Sequence, residues 1–306
     1  MIDWAGQTCN THSVKRVHLF KFQFMQKLFD HCPNGCNSEL RPTDIDVAEG
    51  VLLECSACGQ LVTSCSREYY DQAKGAWSSS EVGWPSGKEL ARLTKRRSED
   101  IQNISKLLAK KYSDINILDV GSSNGSFVSI ANKLGLQAEG VDPSPKAIED
   151  GVKRGLKLHL GYLHEVGFAD GTFDAITLYE VAEHLPDPIG LLQECARILK
   201  PNGLLLIGTG NTDSWTRHVR QNKWDFFNLK LHGGHISFFS PATFKVLAAK
   251  TGFDVVKVST SSVRFYEQGE LPFILYRTIK LVTELLNILA KLLNKGSQME
   301  IYLRKR

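Results

Sequence analysis

The stretch from Ile115 to Asp142, INILDVGSSNGSFVSIANKLGLQAEGVD, constrains this chain more than any other. A short apolar run, Ile115 to Val120, breaks at the turn Asp119-Val-Gly121-Ser-Ser-Asn-Gly125. Phe127, Val128, Ile130, Ala131 and Leu134 then recur at helical spacing, and Gly135 supplies the stop. A second apolar run, Leu136 to Val141, ends on Asp142. This is one βαβ unit, with its turn at the carboxyl end of the first strand, where open parallel sheets bind ligands. Glycine suits such a turn because, without a Cβ, it tolerates positive φ and lets backbone approach a ligand closely.

Turns of this kind serve dinucleotides and S-adenosylmethionine alike. The dinucleotide fingerprint G-x-G-x-x-G is missing from Gly121-Ser-Ser-Asn-Gly125. Asp119, two residues before the first glycine, would repel a pyrophosphate but suits a methionine ammonium. Asp142 is placed to accept two hydrogen bonds from a ribose diol. The plain alternative is an ordinary tight strand-to-helix turn. The turn also matches G-x-S-x-G, which would make Ser123 a hydrolase nucleophile, with Asp213 and His235 completing a triad. Against this, such elbows follow several strands of their sheet, whereas here the clear strands come later, and Asp119 and Asp142 would lack roles.

A chain of 306 residues holds one large α/β domain and a small appendage. Its net charge of +4 gives little support to an extended nucleic-acid footprint. Lys15, Arg16, His18 and Lys21 interrupt any secretory apolar core, no uncharged run reaches membrane-span length, and Met25 is an alternative start. A cytoplasmic protein is expected. The seven cysteines are Cys9, Cys32, Cys36, Cys55, Cys58, Cys65 and Cys195. Cys32/Cys36 and Cys55/Cys58 form two close pairs about twenty residues apart, the knuckle–hairpin–knuckle spacing of a tetrahedral structural zinc site. Such a site would fold a segment too small to bury its own core. Four free buried thiols are the alternative. His31 and Cys65 read as bystanders, and Cys195 as a small core residue.

Glu68 to Pro85, with Tyr69, Tyr70, Trp77 and Trp84, reads as a linker, a lid or an irregular stretch packed on the main domain. Glu89 to Tyr112 has helical periodicity, and its basic run Lys95-Arg96-Arg97 reads as a solvated face. After Asp142, Pro145 opens a helix; strands follow at Leu156–Leu160, Asp174–Tyr179 and Leu204–Ile207, with a helix from Ile189 to Leu199. Strands alternating with helices predict a parallel, doubly wound sheet.

Together, LDVGSSNGSF, GVDPSP, the Phe173-Asp174 strand leading into EVAEHLPDP, and RILKPNGLLLIGTGN resemble the successive motifs of class I S-adenosylmethionine-dependent methyltransferases. The block CPNGC…CSACGQLV…YYDQ, with Gly234-His235-Ile-Ser-Phe-Phe-Ser240, is similar to a zinc-ribbon subgroup often linked to polysaccharide or sugar modification. The resemblance implies an α/β fold: a doubly wound, seven-stranded Rossmann-like methyltransferase sheet with a small N-terminal zinc-ribbon appendage. Its reversed final hairpin would use Phe253–Ser259 and Met299–Arg304. It implies an N-terminal extension at 1–30, the ribbon at 31–66, a linker and helical lead-in at 67–112, and the methyltransferase domain at 113–306, with a helical insertion at about 271–294. By position, Asp119, Gly121, Ser123 and Gly125 would line the methionine end of S-adenosylmethionine, Asp142 would take the ribose, Tyr162 would flank adenine, and Glu180 would sit near the sulfonium. Ser123 and Tyr162 depart from the usual pattern, a glycine and an acidic residue respectively.

Methyl transfer needs a group that removes the acceptor's proton. His184 and His235 are the candidate bases, with Glu183 as a hydroxyl ligand and His232 as a weaker candidate; the alternative is that the histidines only brace their loops. From Phe273 to Leu293, Arg277, Lys280, Glu284, Asn287 and Lys291 form one polar stripe on a mostly apolar helix. Packing on the catalytic domain or on a second subunit, giving a homodimer, is the favoured reading. Peripheral contact with the inner membrane surface is the sharper one. The expected activity is methylation of a small molecule or glycan, most simply at a sugar or lipid-linked glycan hydroxyl. An RNA methyltransferase and a non-catalytic cofactor-binding scaffold are the alternatives.

Overall fold

The computed structural model describes residues 26–78, 83–228, 234–267 and 269–306. Cys9, His232 and nearly all of the expected N-terminal extension, including Met25, lie outside the described residues. The chain begins with β1 (Leu40–Val47), β2 (Gly50–Cys55) and β3 (Leu61–Val62), followed by α1 (Arg67–Ser78) and α2 (Gly87–Leu108). Then come β4 (Asn116–Val120), α3 (Ser126–Lys133), β5 (Gln137–Asp142), α4 (Pro145–Lys153), β6 (Leu158–Leu160), α5 (Leu163–Val166) and β7 (Phe173–Tyr179). The chain continues through α6 (Pro188–Ile198), β8 (Leu199–Gly210), α7 (Trp215–Arg220), β9 (Ser237–Phe238) and α8 (Pro241–Lys250). It closes with β10 (Phe253–Ser261), α9 (Phe273–Leu292) and β11 (Gln298–Lys305).

The main sheet has seven strands in the order β10-β11-β8-β7-β4-β5-β6. All pairs are parallel except those of β11, which runs antiparallel to both β8 and β10. This is the doubly wound Rossmann-like sheet with the expected reversed final hairpin. Its central strands are buried on both faces, as their near-continuous apolar runs require. Ile101, Ile104, Phe127 and Val128 cover one face, while Leu192, Ile198, Phe244 and Leu247 cover the other. Local chemistry starts the helices where the sequence places them. The Ser144 hydroxyl caps α4 by accepting from Ala147 N, the Asp187 carboxylate caps α6 by accepting from Gly190 N, and both helices have proline in the first turn.

Four findings differ from the expectations. First, the start of the stretch read as a linker folds into α1. Tyr70 anchors it in a cluster with Leu28, Phe29, Val62 and Ile236, contacts too distant in sequence to show as periodicity.

Second, Lys95-Arg96-Arg97 is a solvated face only in part: Lys95 and Arg96 are exposed, but Arg97 turns inward. The Arg97 guanidinium lies 3.3 Å from the Tyr179 ring centroid and pairs with Asp100 at 3.0 Å, while Arg96 pairs with Glu300 at 3.2 Å. Asp100 also accepts hydrogen bonds from the Tyr179 hydroxyl at 2.9 Å and the Tyr302 hydroxyl at 3.2 Å. Lys95 and Arg96 keep exposed side chains, Arg96 while pairing with Glu300.

Third, the cysteine hairpin does not stand apart. β3 pairs with β9 of the main domain, completing a four-stranded sheet β1-β2-β3-β9. Leu52 and Leu61 share a cluster with Trp224, Phe226, Phe227 and Phe238, so the hairpin borrows its core from the larger unit.

Fourth, α9 does not bury its apolar face on the catalytic domain. Thr283 and Ala290 are buried, but Ile274 is 80%, Leu285 72% and Leu292 74% exposed. No helix among the described residues is long and apolar enough to cross a membrane.

Candidate active site

The glycine turn lies at the carboxyl edge of β4, flanked by two buried carboxylates. Asp119 accepts a hydrogen bond from the Thr177 hydroxyl at 2.6 Å. Burial pushes its carboxyl up to about 7, against the opposing pull of Thr177 and Arg97. Asp142 Oδ2 accepts from Ser123 N and Oδ1 from Ser144 N, both at 2.8 Å. Each oxygen keeps a second lone pair, the acceptor pair a ligand diol needs. Burial raises the Asp142 pKa against these two backbone donors.

Gly121 and Gly125 have φ of 75° and 80°. A Cβ on Gly121 would collide with Val181 Cγ2, and one on Gly125 would stand 2.8 Å from Leu156 Cδ1. Ser123 also sits in the left-handed region, at φ 49°, and its buried Oγ has no hydrogen-bond partner among the described residues. The strain is of order 1 kcal/mol. Ser123→Gly is therefore expected to raise thermal stability by a few tenths to about 1 kcal/mol and to leave ligand binding intact. A thermal melt with and without ligand checks this.

Beside the turn lies a cavity of about 520 Å³, with Gly121, Tyr162 and His184 in its wall. Helix α1, absent from the sequence reading as a helix, supplies Arg67, Tyr70, Asp71 and Lys74 to the same wall. The Tyr70 hydroxyl donates to the His184 carbonyl at 2.7 Å, and Lys74 Nζ stands 5.0 Å from the Tyr162 ring centroid. The paired aromatics of Glu68-Tyr69-Tyr70 were the only signal for this element. Buried Arg97, within electrostatic reach of Asp119, was also missed because its acidic and aromatic partners are far away in sequence.

Glu180, Glu183, His184 and His235 come together at the end of β7. Glu180 holds φ 54°, a conformation rare for a residue with a side chain. Glu183 is fully buried, and His235 Nε2 lies 3.9 Å from its Oε1. His235 Nδ1 hydrogen-bonds the Phe226 carbonyl at 3.0 Å, an arrangement in which Nδ1 carries the proton. The His184 and His235 rings meet edge to face at 4.7 Å. Burial raises the pKa of Glu183 well above its usual range, with the Glu180 carboxylate adding to the rise, and burial also raises that of Glu180 against the opposing pull of Glu183, Arg97 and Arg96. Ser123, Asp213 and His235 form no triad: Asp213 pairs with Lys295 at 2.6 Å, and Ser123 Oγ has no partner.

The sulfurs of Cys32, Cys36, Cys55 and Cys58 all lie within 4.8 Å of one another. Cys32 Sγ and Cys58 Sγ are 3.7 Å apart. A zinc tetrahedron with bonds of about 2.3 Å has edges of about 3.8 Å, so the four sulfurs fit that ion. Cys65 is buried outside the cluster, and Cys195 is in the main core. Asn34 Nδ2 and Lys250 Nζ stand 3.9 Å from the sulfurs of Cys58 and Cys36, so the cluster also touches α8.

A family profile described as a methyltransferase domain matches residues 92–258. The ubiquinone biosynthesis O-methyltransferase of Xanthomonas oryzae pv. oryzae is 33% identical over 102 residues, covering 31% of this chain and 43% of that protein. The protein of the same name from Colwellia psychrerythraea is 30% identical over 107 residues, covering 33% and 44%. The chain thus spans less than half the length of the curated relatives it matches. Geranyl diphosphate C-methyltransferase from Streptomyces coelicolor superposes with a TM-score of 0.50 at 16% identity, over 78% of this chain and 98% of that one, a likeness of fold. Because the profile match runs from α2 to β10, taking in the ligand turn and every parallel strand, the chain belongs to the methyltransferase-domain family.

Proposed function

We propose that the chain is an S-adenosylmethionine-dependent methyltransferase that methylates a hydroxyl of a small molecule or glycan, a sugar or lipid-linked glycan above all. The observation that carries this is the pair of buried carboxylates, Asp119 and Asp142, bracketing the glycine turn beside the cavity. When bound, S-adenosylmethionine supplies a methyl group already activated by its sulfonium charge. Asp119 faces the ammonium of the methionine end, and Gly121, Ser123 and Gly125 keep the backbone open along it. Asp142 accepts from the ribose diol, and Tyr162 lies against the adenine. Glu180 stands at the sulfonium end, and Glu183, His184 and His235 form the acceptor side. The matched O-methyltransferases support oxygen as the receiving atom.

The four cysteines hold a structural zinc, and residues 31–66 form its ribbon. Residues 67–112 lead into the methyltransferase domain at 113–306, which carries α9 as an insertion. The exposed apolar arc of α9, with Arg277, Lys280 and Lys291 at its edge, suits peripheral binding to the anionic inner face of a membrane, the place for a lipid-linked acceptor in a cytoplasmic enzyme. The expected result is co-sedimentation with anionic vesicles that is lost in Leu285→Glu. A concentration-dependent dimer without vesicle binding would assign that arc to a second subunit. The function itself is tested by incubating the protein with methyl-labelled S-adenosylmethionine and panels of hydroxylated small molecules and lipid-linked glycans. Label transferred to an oxygen supports it; label transferred to RNA alone overturns it.

The pH dependence of binding follows from Asp119. Its carboxyl, pushed up to about 7, must ionise to receive an ammonium. Below about pH 7 cofactor affinity is expected to fall about tenfold per pH unit, and above it to level off. The free protein shows the opposite sign. The neutral buried carboxyl stabilises the fold below the unfolded-state value of about 4, and this contribution is lost as pH rises from about 4 to about 7. Calorimetry in two buffers of different ionisation enthalpy would detect the proton released on binding.

A further inference from the structure

We infer that Glu180, Glu183 and His235 form a binding site for a divalent cation of the magnesium or manganese class, at the end of β7 and against His184 of the cavity wall. The inference rests on the methyltransferase reading of the site and adds to it. The three side chains bring one ligand atom each to within 4.8 Å of one another. A cation about 2.1 Å from each donor sets neighbouring donors about 3.0 Å apart, so the side chains must close in on it by about 1–2 Å. Two carboxylates and one neutral imidazole balance a charge of +2; the carboxylates suit magnesium and manganese, and the imidazole favours manganese of the two.

Glu183 carries the argument beyond a cluster of acids. It is fully buried, and neither carboxylate oxygen has a hydrogen-bond partner among the described residues. Burial of a carboxyl with neither oxygen hydrogen-bonded is disfavoured, whereas Asp119, Asp142 and Asp174 each hold a hydrogen bond or ion pair. His235 is oriented for the same task. Its Nδ1 is held by the Phe226 carbonyl, which leaves the Nε2 lone pair directed at Glu183. Its main chain is held too: Ile236 N donates to the Glu183 carbonyl at 2.8 Å, and Thr63 N donates to the Ile236 carbonyl at 2.9 Å. Glu180 is the exposed member, so the site opens to solvent on that side.

A cation there would bind the acceptor hydroxyl and make it more acidic. The hydroxyl proton passes to the imidazole of His184, in the cavity wall. The oxygen then forms its bond to the methyl carbon as the carbon–sulfur bond breaks, with that electron pair going to sulfur.

The test uses the full chain with its ribbon zinc in place, titrated with Mn²⁺ and followed by electron paramagnetic resonance, with S-adenosylmethionine binding measured on the same sample. The expected result is one bound Mn²⁺ per chain, displaced by Mg²⁺, and affinity weakened at least about tenfold in both Glu183→Gln and Glu180→Gln. Glu180 is at the surface, so its variant keeps the test valid if the buried substitution misfolds. No Mn²⁺ binding up to millimolar concentration by protein that binds S-adenosylmethionine would overturn the cation site alone. Mn²⁺ binding unchanged in both variants would overturn it too. Loss of S-adenosylmethionine binding with Mn²⁺ binding intact would instead remove the methyltransferase reading.

Discussion

Asp142→Ala is expected to weaken S-adenosylmethionine binding by about two to four orders of magnitude. Two hydrogen bonds from a ribose diol to a carboxylate are each worth about 1.5–3 kcal/mol, and about 1.4 kcal/mol is a factor of ten in affinity. The same carboxylate also holds Ser123 N and Ser144 N, so its loss frees both the glycine turn and the start of α4. Asp142→Asn separates the two effects. Its amide keeps one acceptor oxygen but turns an NH₂ toward one of those donors, and affinity should fall less than in the alanine variant while melting temperature drops in both. Calorimetric titration of the two variants beside the parent protein checks this. An alanine variant that binds within about threefold of the parent would remove Asp142 from the cofactor site.

Cys58→Ser is expected to cost most of the methyl transfer, although the substituted residue lies outside the cavity. A structural zinc contributes folding free energy directly, and a segment this small has little core of its own. Without the metal, the β2–β3 hairpin loses what fixes Leu61 and Val62 opposite Phe238 and Ser237. The residues after Gly234 are gripped on one side by that pairing and on the other by the Glu183 carbonyl. Freeing one side therefore releases His235 from its neighbours. Asp119 and Asp142 belong to the other sheet, so cofactor affinity should change by less than about threefold while turnover falls at least about tenfold. Zinc content, binding and turnover measured on the same preparation check this. Full turnover in a zinc-free variant would show that the ribbon is dispensable to the site.

The parts of this fold written locally were readable from the sequence. The Ile115–Asp142 unit, the proline-started helices and the parallel, doubly wound strands follow from spacing and turn chemistry a few residues apart, whereas the seven strands and the reversed final hairpin were implied by the family resemblance. The four cysteines were legible as a group because their spacing suits a tetrahedral ion, and the fold brings their sulfurs together. What escaped reading depends on long-range contact. Tyr70 needs Ile236 and the hairpin to make α1 a helix, and Arg97 needs Tyr179 to become a core residue. The pairing of β3 with β9 joins segments that share no local pattern. The apolar arc of α9 was legible as apolar, but nothing in its periodicity could say that the domain would leave it exposed.

The most direct test of the central claim is calorimetric titration of the zinc-quantified protein with S-adenosylmethionine, with NAD titrated in parallel. The account predicts about one zinc per chain, a single site for the methyl donor in the micromolar range, competition by S-adenosylhomocysteine, and no NAD binding. Folded, zinc-bearing protein that takes up NAD and not the methyl donor would contradict it.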